Sequence, residues 1–234
     1  MTDGAENSDN WAANREHLEV VAPEGAVDPK LTGRKLSGAL QGFGQMWQKT
    51  YQVRLDGADT TPERVITEWK ANYGEFWPDN NHFYAPIAGL KPGEVGVINT
   101  SQGPMTLSTG VMVLYADDRS FTYMTPEGHV FAGWVTFSSH EDHDGVVIAQ
   151  VQLLIRASDP VFELAFKLGA GRMEDRIWQH TLRSVARHFD VDDEPTTEIV
   201  CVDKRRQWKN FGNVRLNLAL RSMGRSLLSP VRKR

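Results

Sequence analysis

The chain has 234 residues, 40 % of them hydrophobic and 24 % charged, which is enough apolar side chain for one packed core and excludes global disorder. No run approaches the roughly 18 apolar residues of a membrane span. The first ten residues carry three acids and no cationic or apolar stretch, so no secretory leader is read there. The single cysteine, Cys201, has no partner within the chain, which points to a reducing, cytoplasmic setting.

The net charge of −4 is unevenly divided: residues 204–234 hold ten basic residues and no acid, while residues 1–203 hold 16 basic and 30 acidic ones. The sequence therefore divides into a polar, irregular arm over 1–38 that reads as poorly ordered, a domain over 39–203, and a basic tail over 204–234. Within the tail, Leu216, Leu220, Met223 and Leu227 fall at spacings of four, three and four. That pattern predicts a basic amphipathic helix over 208–228, suited to an anionic membrane surface or to the chain's own acidic body. A net charge of −14 on residues 1–203 argues against nucleic acid as a partner.

In chain order, alternation of Trp47, Tyr51, Val53 and Leu55 with polar residues predicts a strand over Trp47–Leu55. Thr61, Pro62 and Glu63 then form a helix start, and Val65, Ile66, Trp69 and Tyr73 share one helical face. The pattern ends at Pro78, and Asn80–Leu90 reads as a loop. Strands follow over Val95–Thr100, Met105–Ala116, Ser120–Thr125, Ala132–Ser138 and Val146–Arg156, separated by turns short enough to require an antiparallel meander. Asp159 and Pro160 open a long helix reaching about Phe189, with a bend at Gly169-Ala170-Gly171. Ile199–Val202 adds a short strand.

The order strand, helix, antiparallel meander, long helix resembles the START-like, or SRPBCC, helix-grip superfamily over about residues 45–190. More narrowly, Gly110–Tyr115, Phe121–His129 and Ile155–Pro160 are similar to an uncharacterised bacterial branch of it. No functional residue carries over, and Asn80–Leu90 lacks the second short helix usual in the superfamily. The resemblance implies an α+β fold, a curved antiparallel sheet of six or seven strands wrapped around the C-terminal helix, with an apolar cavity between them.

Several residues are candidates for that cavity. Trp47, Trp69, Tyr115, Tyr123, Trp134 and Trp178 bring apolar area with polar tips. His129, after Pro126-Glu127-Gly128, has the chemistry of a hydrogen-bond donor or base at a cavity mouth, or of a plain turn residue. The expected ligand-binding set is Tyr115, Tyr123, His129 and Trp134. His140, Glu141, Asp142, His143 and Asp144 include metal-ligand types, yet Asp144-Gly145 marks a hairpin tip, so no metal is expected. Arg156 is expected to pair with Asp159 or Glu163. Cys201 reads as a small apolar residue. No phosphate-cradling glycine loop or serine elbow occurs, so no cofactor is expected. The reading that follows is a protein binding an apolar small molecule (a lipid, polyketide or isoprenoid). A cyclase, dehydratase or hydrolase using His129 and tyrosine hydroxyls, or a non-catalytic protein docked by its tail, are the alternatives.

Overall fold

A computed structural model describes residues 8–86, 88–102 and 105–220. Eight strands form one antiparallel sheet: β1 (Met46–Arg54), β2 (Asn81–Tyr84), β3 (Val95–Gln102), β4 (Met105–Ala116), β5 (Ser120–Met124), β6 (Phe131–Glu141), β7 (Val147–Ala157) and β8 (Thr196–Asp203). Their order is β2-β3-β4-β5-β6-β7-β1-β8. Helices α1 (Pro62–Ala71), α2 (Pro160–Ala165) and α3 (Gly171–His188) complete the fold, with a π turn at Phe166–Ala170 joining α2 to α3. The helix-grip arrangement implied by the resemblance is the one found. The sheet is larger than expected, because β2 forms from the segment read as a loop and pairs with β3 in the register Phe83↔Ile98.

The helix starts follow their capping chemistry. The Thr61 side chain accepts from Arg64 N at 3.3 Å, and Asp159 accepts from Val161 N at 2.8 Å and Phe162 N at 3.0 Å. Each cap satisfies backbone donors that a helix leaves unpaired at its first turn. Gly169 bends the long helix: its φ of 117° lies in a region that side-chain-bearing residues avoid.

Odd-numbered residues of β1, β5, β6 and β7 face the concave side, where Tyr51, Val53, Phe121, Phe137, Val151 and Leu153 join α1 and α3 in a single core. Aromatic rings dominate it. Trp69 lies edge-on to Phe137 with centroids 5.4 Å apart, and Tyr73 meets the same ring at 5.3 Å.

The convex face is covered in part. The arm expected to be poorly ordered is irregular in conformation but packed: Leu18 and Leu31 are buried. Ala12 N donates to Leu114 O at 2.8 Å, and Ser37 N donates to Thr125 O at 2.8 Å. The start of the basic tail is likewise stitched to the body. Asn210 Nδ2 donates to Leu40 O and Gly42 O, Asn213 Nδ2 to Gln41 O and Ser158 O, and Asn217 Nδ2 to Asp159 Oδ2 at 2.7 Å. Residues Trp208–Leu216 form a 3-10 helix in place of the expected amphipathic α-helix, and residues 221–228 of that expectation lie outside the described residues. Gly128 admits this segment: a Cβ there would stand 2.1 Å from Leu216 O, and its φ is +82°.

Arg156 pairs with neither expected partner. It lies on the convex side, where Nη2 bonds Asp203 Oδ2 at 2.6 Å and Nη1 bonds Gly44 O and Arg205 O. The strand's alternation turns it away from the helix cap, while Glu163 pairs with Arg206 at 2.9 Å. The guanidinium thus joins the start of β1 to the end of β8.

Candidate functional site

Between the concave face and α3 lies a cavity of about 610 Å³, within the size range of small-molecule sites, about 300–1,000 Å³. Its walls come from the segment after α1 (Tyr73, Trp77), from β3 and β4 (Ile98, Leu107, Val111), from β7 (Leu153, Ile155) and from α3 (Ile177, Trp178). These walls are chiefly apolar because each strand contributes its inward-facing parity. Exposed members of the lining, Met173, Arg176 and His180 on α3, mark the opening, opposite Pro78, Asn80 and Asn81.

Of the four expected ligand-binding residues, two present side chains here. Tyr123 is 1 % exposed and lines the cavity, and its hydroxyl has no hydrogen-bond partner. Burial raises its pKa well above the ordinary tyrosine value. His129 also lines the cavity and is buried. Its Nδ1 lies 3.1 Å from Phe131 N and 3.2 Å from Phe131 O, so the neutral ring accepts from the first or donates to the second according to its tautomer. Desolvation holds its pKa down at about 4, against an upward pull from the Phe131 backbone.

The other two are placed differently. Trp134 has even parity in β6, opposite to Val135 and Phe137, so its ring lies on the convex face. There its Cζ3 stands 4.0 Å from the place of a Cβ on Gly38. Trp134 nevertheless stands among the residues that line the cavity. Tyr115 is displaced by an irregularity: the β4–β5 register shifts between Val113 and Tyr115, pairing Tyr115 with outward-facing Thr122. The ring packs on Trp11 at 4.7 Å and its hydroxyl bonds Asp117 at 2.5 Å. A bulge moves every following side chain to the other face. Of the remaining aromatics, Trp178 lines the cavity, Trp69 is wholly in the core, and Trp47 borders a second space of about 310 Å³ beside α2 and α3.

A charged cluster escaped the sequence reading. Lys49 Nζ lies 2.7 Å from Glu174 Oε2 and 2.7 Å from Asp175 Oδ1, and it is almost fully buried. Tyr51 OH donates to Asp175 at 2.6 Å, and Trp178 Nε1 donates to Glu174 at 3.0 Å. Desolvation opposes the lysine charge, but the two carboxylates outweigh it and raise its pKa. The inward parity of β1 contains one lysine among aromatic and aliphatic residues, and that was the available signal.

Asp142, His143 and Asp144 lie close enough to share an ion, at an exposed hairpin tip. Asp142 is already occupied: its Oδ1 accepts from Asp144 N and Val146 N, each at 2.9 Å, and its other oxygen pairs with Arg54. His140 stands near the end of β6, exposed. Cys201 is half-buried in β8.

No protein-family model matches the chain, and no curated protein matches it in sequence. Solved structures match it in shape. The di-domain ARO/CYC StfQ from the steffimycin biosynthetic pathway is similar over 62 % of this chain at 10 % identity and a TM-score of 0.47, and the match spans 51 % of that protein. A START superfamily protein from Mycobacterium smegmatis matches over 63 % of this chain and 98 % of its own, at 18 % identity and a TM-score of 0.44. Ginseng major latex-like protein 151 from Panax ginseng matches over 62 % and 99 %, at 18 % identity and a TM-score of 0.38. The likeness is one of fold.

Proposed function

We propose that this protein binds an apolar small molecule in the cavity between the sheet and α3. The single observation that supports it most is a space of about 610 Å³ walled by apolar and aromatic side chains, with few polar groups inside. A lipid, a polyketide or an isoprenoid fits such walls. Binding is favoured over catalysis by the surroundings of His129. Its Nδ1 is engaged by the Phe131 backbone, and among the described residues no carboxylate or hydroxyl side chain is bonded to it. The test is titration with the neutral fluorophore N-phenyl-1-naphthylamine. One equivalent should saturate the protein with a rise in fluorescence, and Ile177→Trp, which fills the cavity from α3, should abolish the rise while circular dichroism is unchanged. Equal fluorescence in the filled variant would place the dye elsewhere and end the proposal.

A second reading concerns the C-terminal region, which we propose docks on an anionic membrane surface. Trp208 is 69 % exposed and Phe211 52 % exposed; their rings stack at 6.3 Å within a segment rich in lysine and arginine. An amphipathic ring beside cations is the composition of interfacial segments.

A further inference from the structure

The cavity has a chemical polarity of its own. Along α3, Arg176, His180 and Arg183 follow one another at spacings of four and three, so they share one stripe, and all three line the cavity at its opening. Arg183 is engaged by Glu194 at 2.8 Å. Arg176 is exposed, and among the described residues no carboxylate pairs with it. Partial burial is the largest cause of a lowered His180 pKa; Arg183 and Arg187 add to it, and Asp79 opposes it. The opening thus carries two arginines, one paired with Glu194 and one without a carboxylate partner among the described residues, beside the acid Asp79.

Inside, two hydroxyls point to a second requirement. Tyr123 Oη and Thr109 Oγ1 are buried, line the same cavity, and have no protein hydrogen-bond partner. A hydroxyl kept in an apolar wall without a partner is unfavourable, and its natural partner is an oxygen inside the cavity.

We propose that the ligand is an amphipathic acid. Its anionic head would sit at the opening against Arg176 and Arg183, its apolar body would fill the cavity, and one oxygen function along that body would meet Tyr123 Oη or Thr109 Oγ1. This inference rests on the cavity-binding reading above and specifies the class of its ligand. Arginine favours carboxylate and phosphate heads alike, through paired N–H donors.

The experiment is displacement of N-phenyl-1-naphthylamine from the full chain by three ligands held below their micelle thresholds: 12-hydroxystearate, stearate and methyl 12-hydroxystearate. The hydroxy acid should bind tightest. Its methyl ester should bind about tenfold more weakly and stearate about fivefold more weakly, the sizes expected for one charged and one neutral hydrogen bond. Arg176→Gln should erase the preference for acid over ester, and raised salt should reduce that preference in the wild type. Tyr123→Phe, or Thr109→Val, should erase the preference for the hydroxylated chain without lowering the melting temperature, since neither hydroxyl bonds the protein. A lysophosphatidate of equal chain length separates the two heads: tighter binding than the hydroxy acid assigns phosphate, weaker binding assigns carboxylate, and both support the inference. Acid and ester binding alike in the wild type would overturn the anionic head, and a hydroxyl preference surviving both hydroxyl deletions would overturn the internal oxygen. Each of these leaves the cavity reading standing. Failure of the neutral dye itself to enter would remove the cavity reading, and this inference with it.

Discussion

His129 shows how burial converts a residue into a pH dependence. Its pKa is about 4 in the folded chain, below the ordinary 6.5, so folding favours the neutral ring. A base with a depressed folded pKa costs nothing above the unfolded pKa. Its penalty grows as pH falls from 6.5 to about 4 and is constant below that. The full difference corresponds to about 3 kcal/mol, at 1.36 kcal/mol per pKa unit. His129→Gln should therefore flatten the fall of urea-unfolding stability between pH 6.5 and 4 relative to the wild type. Parallel pH profiles for the two proteins would show that burial of this ring is not the cause. Lys49 poses the opposite case, a cation held charged by two carboxylates. Lys49→Met leaves Glu174 and Asp175 uncompensated in a buried setting and should cost about 3–5 kcal/mol at neutral pH. Part of that loss should return on acidification, as Glu174, whose pKa burial already raises, takes up a proton, which chemical denaturation at pH 5 and 7 would show.

At the level of elements, the bend between α2 and α3 depends on one backbone conformation. Gly169 has φ 117°, and a Cβ there would meet nothing closer than Arg172 Nη2 at 3.5 Å, so space is available and conformation is the obstacle. Gly169→Ala should lower stability by about 1–3 kcal/mol, the range for a non-glycine residue held in such a region. A melting temperature equal to the wild type's would mean that the bend moves elsewhere at no cost. This bend, the two caps and most strands were legible because they rest on local rules: Pro160 after Asp159, glycines inside a helical pattern, and two-residue alternation. β2 was not legible, since Asn81–Tyr84 is short and polar and becomes a strand only by pairing with β3. Trp134 was legible but read by size when parity decides: it alternates with Val135 and Phe137 and must face away from them. Tyr115 lay beyond local rules, because the bulge that turns it outward depends on how β4 pairs with β5. The cations of α3 lie off the stripe of Trp178, Leu182 and Val185; that Arg176 and Arg183 border a cavity follows only from where the sheet curls.

Over the whole molecule, the concave face of the sheet is filled by the helices, and part of the convex face is covered by the ends of the chain. An antiparallel sheet commonly leaves one face to water. Here a ladder of threonines and glutamines stays half-exposed while the arm and residues 204–218 cover the rest in part, and the amides of Asn210, Asn213 and Asn217 donate five hydrogen bonds across the join. At about 1 kcal/mol each, their loss would be on the order of the whole stability of a domain. A chain ending at Asp203 should therefore aggregate or unfold, while one ending at Leu220 keeps all five bonds and should melt with the full-length protein. That pair separates the two roles of the basic tail. The chain ending at Leu220 loses five cations, Arg221, Arg225, Arg232, Lys233 and Arg234, with no acid among the removed residues. Cations near an anionic surface contribute about 1 kcal/mol each, and salt screens them. The full-length protein should sediment with vesicles containing phosphatidylserine at low salt, release at high salt, and ignore neutral vesicles. The shortened chain should bind far more weakly, and Trp208→Ser in the full chain should lower the salt concentration at which the protein releases, because less apolar attraction then adds to the electrostatic one. Equal sedimentation of the full and shortened chains, or none by the full chain at low salt, would mean that the basic segment serves the fold alone.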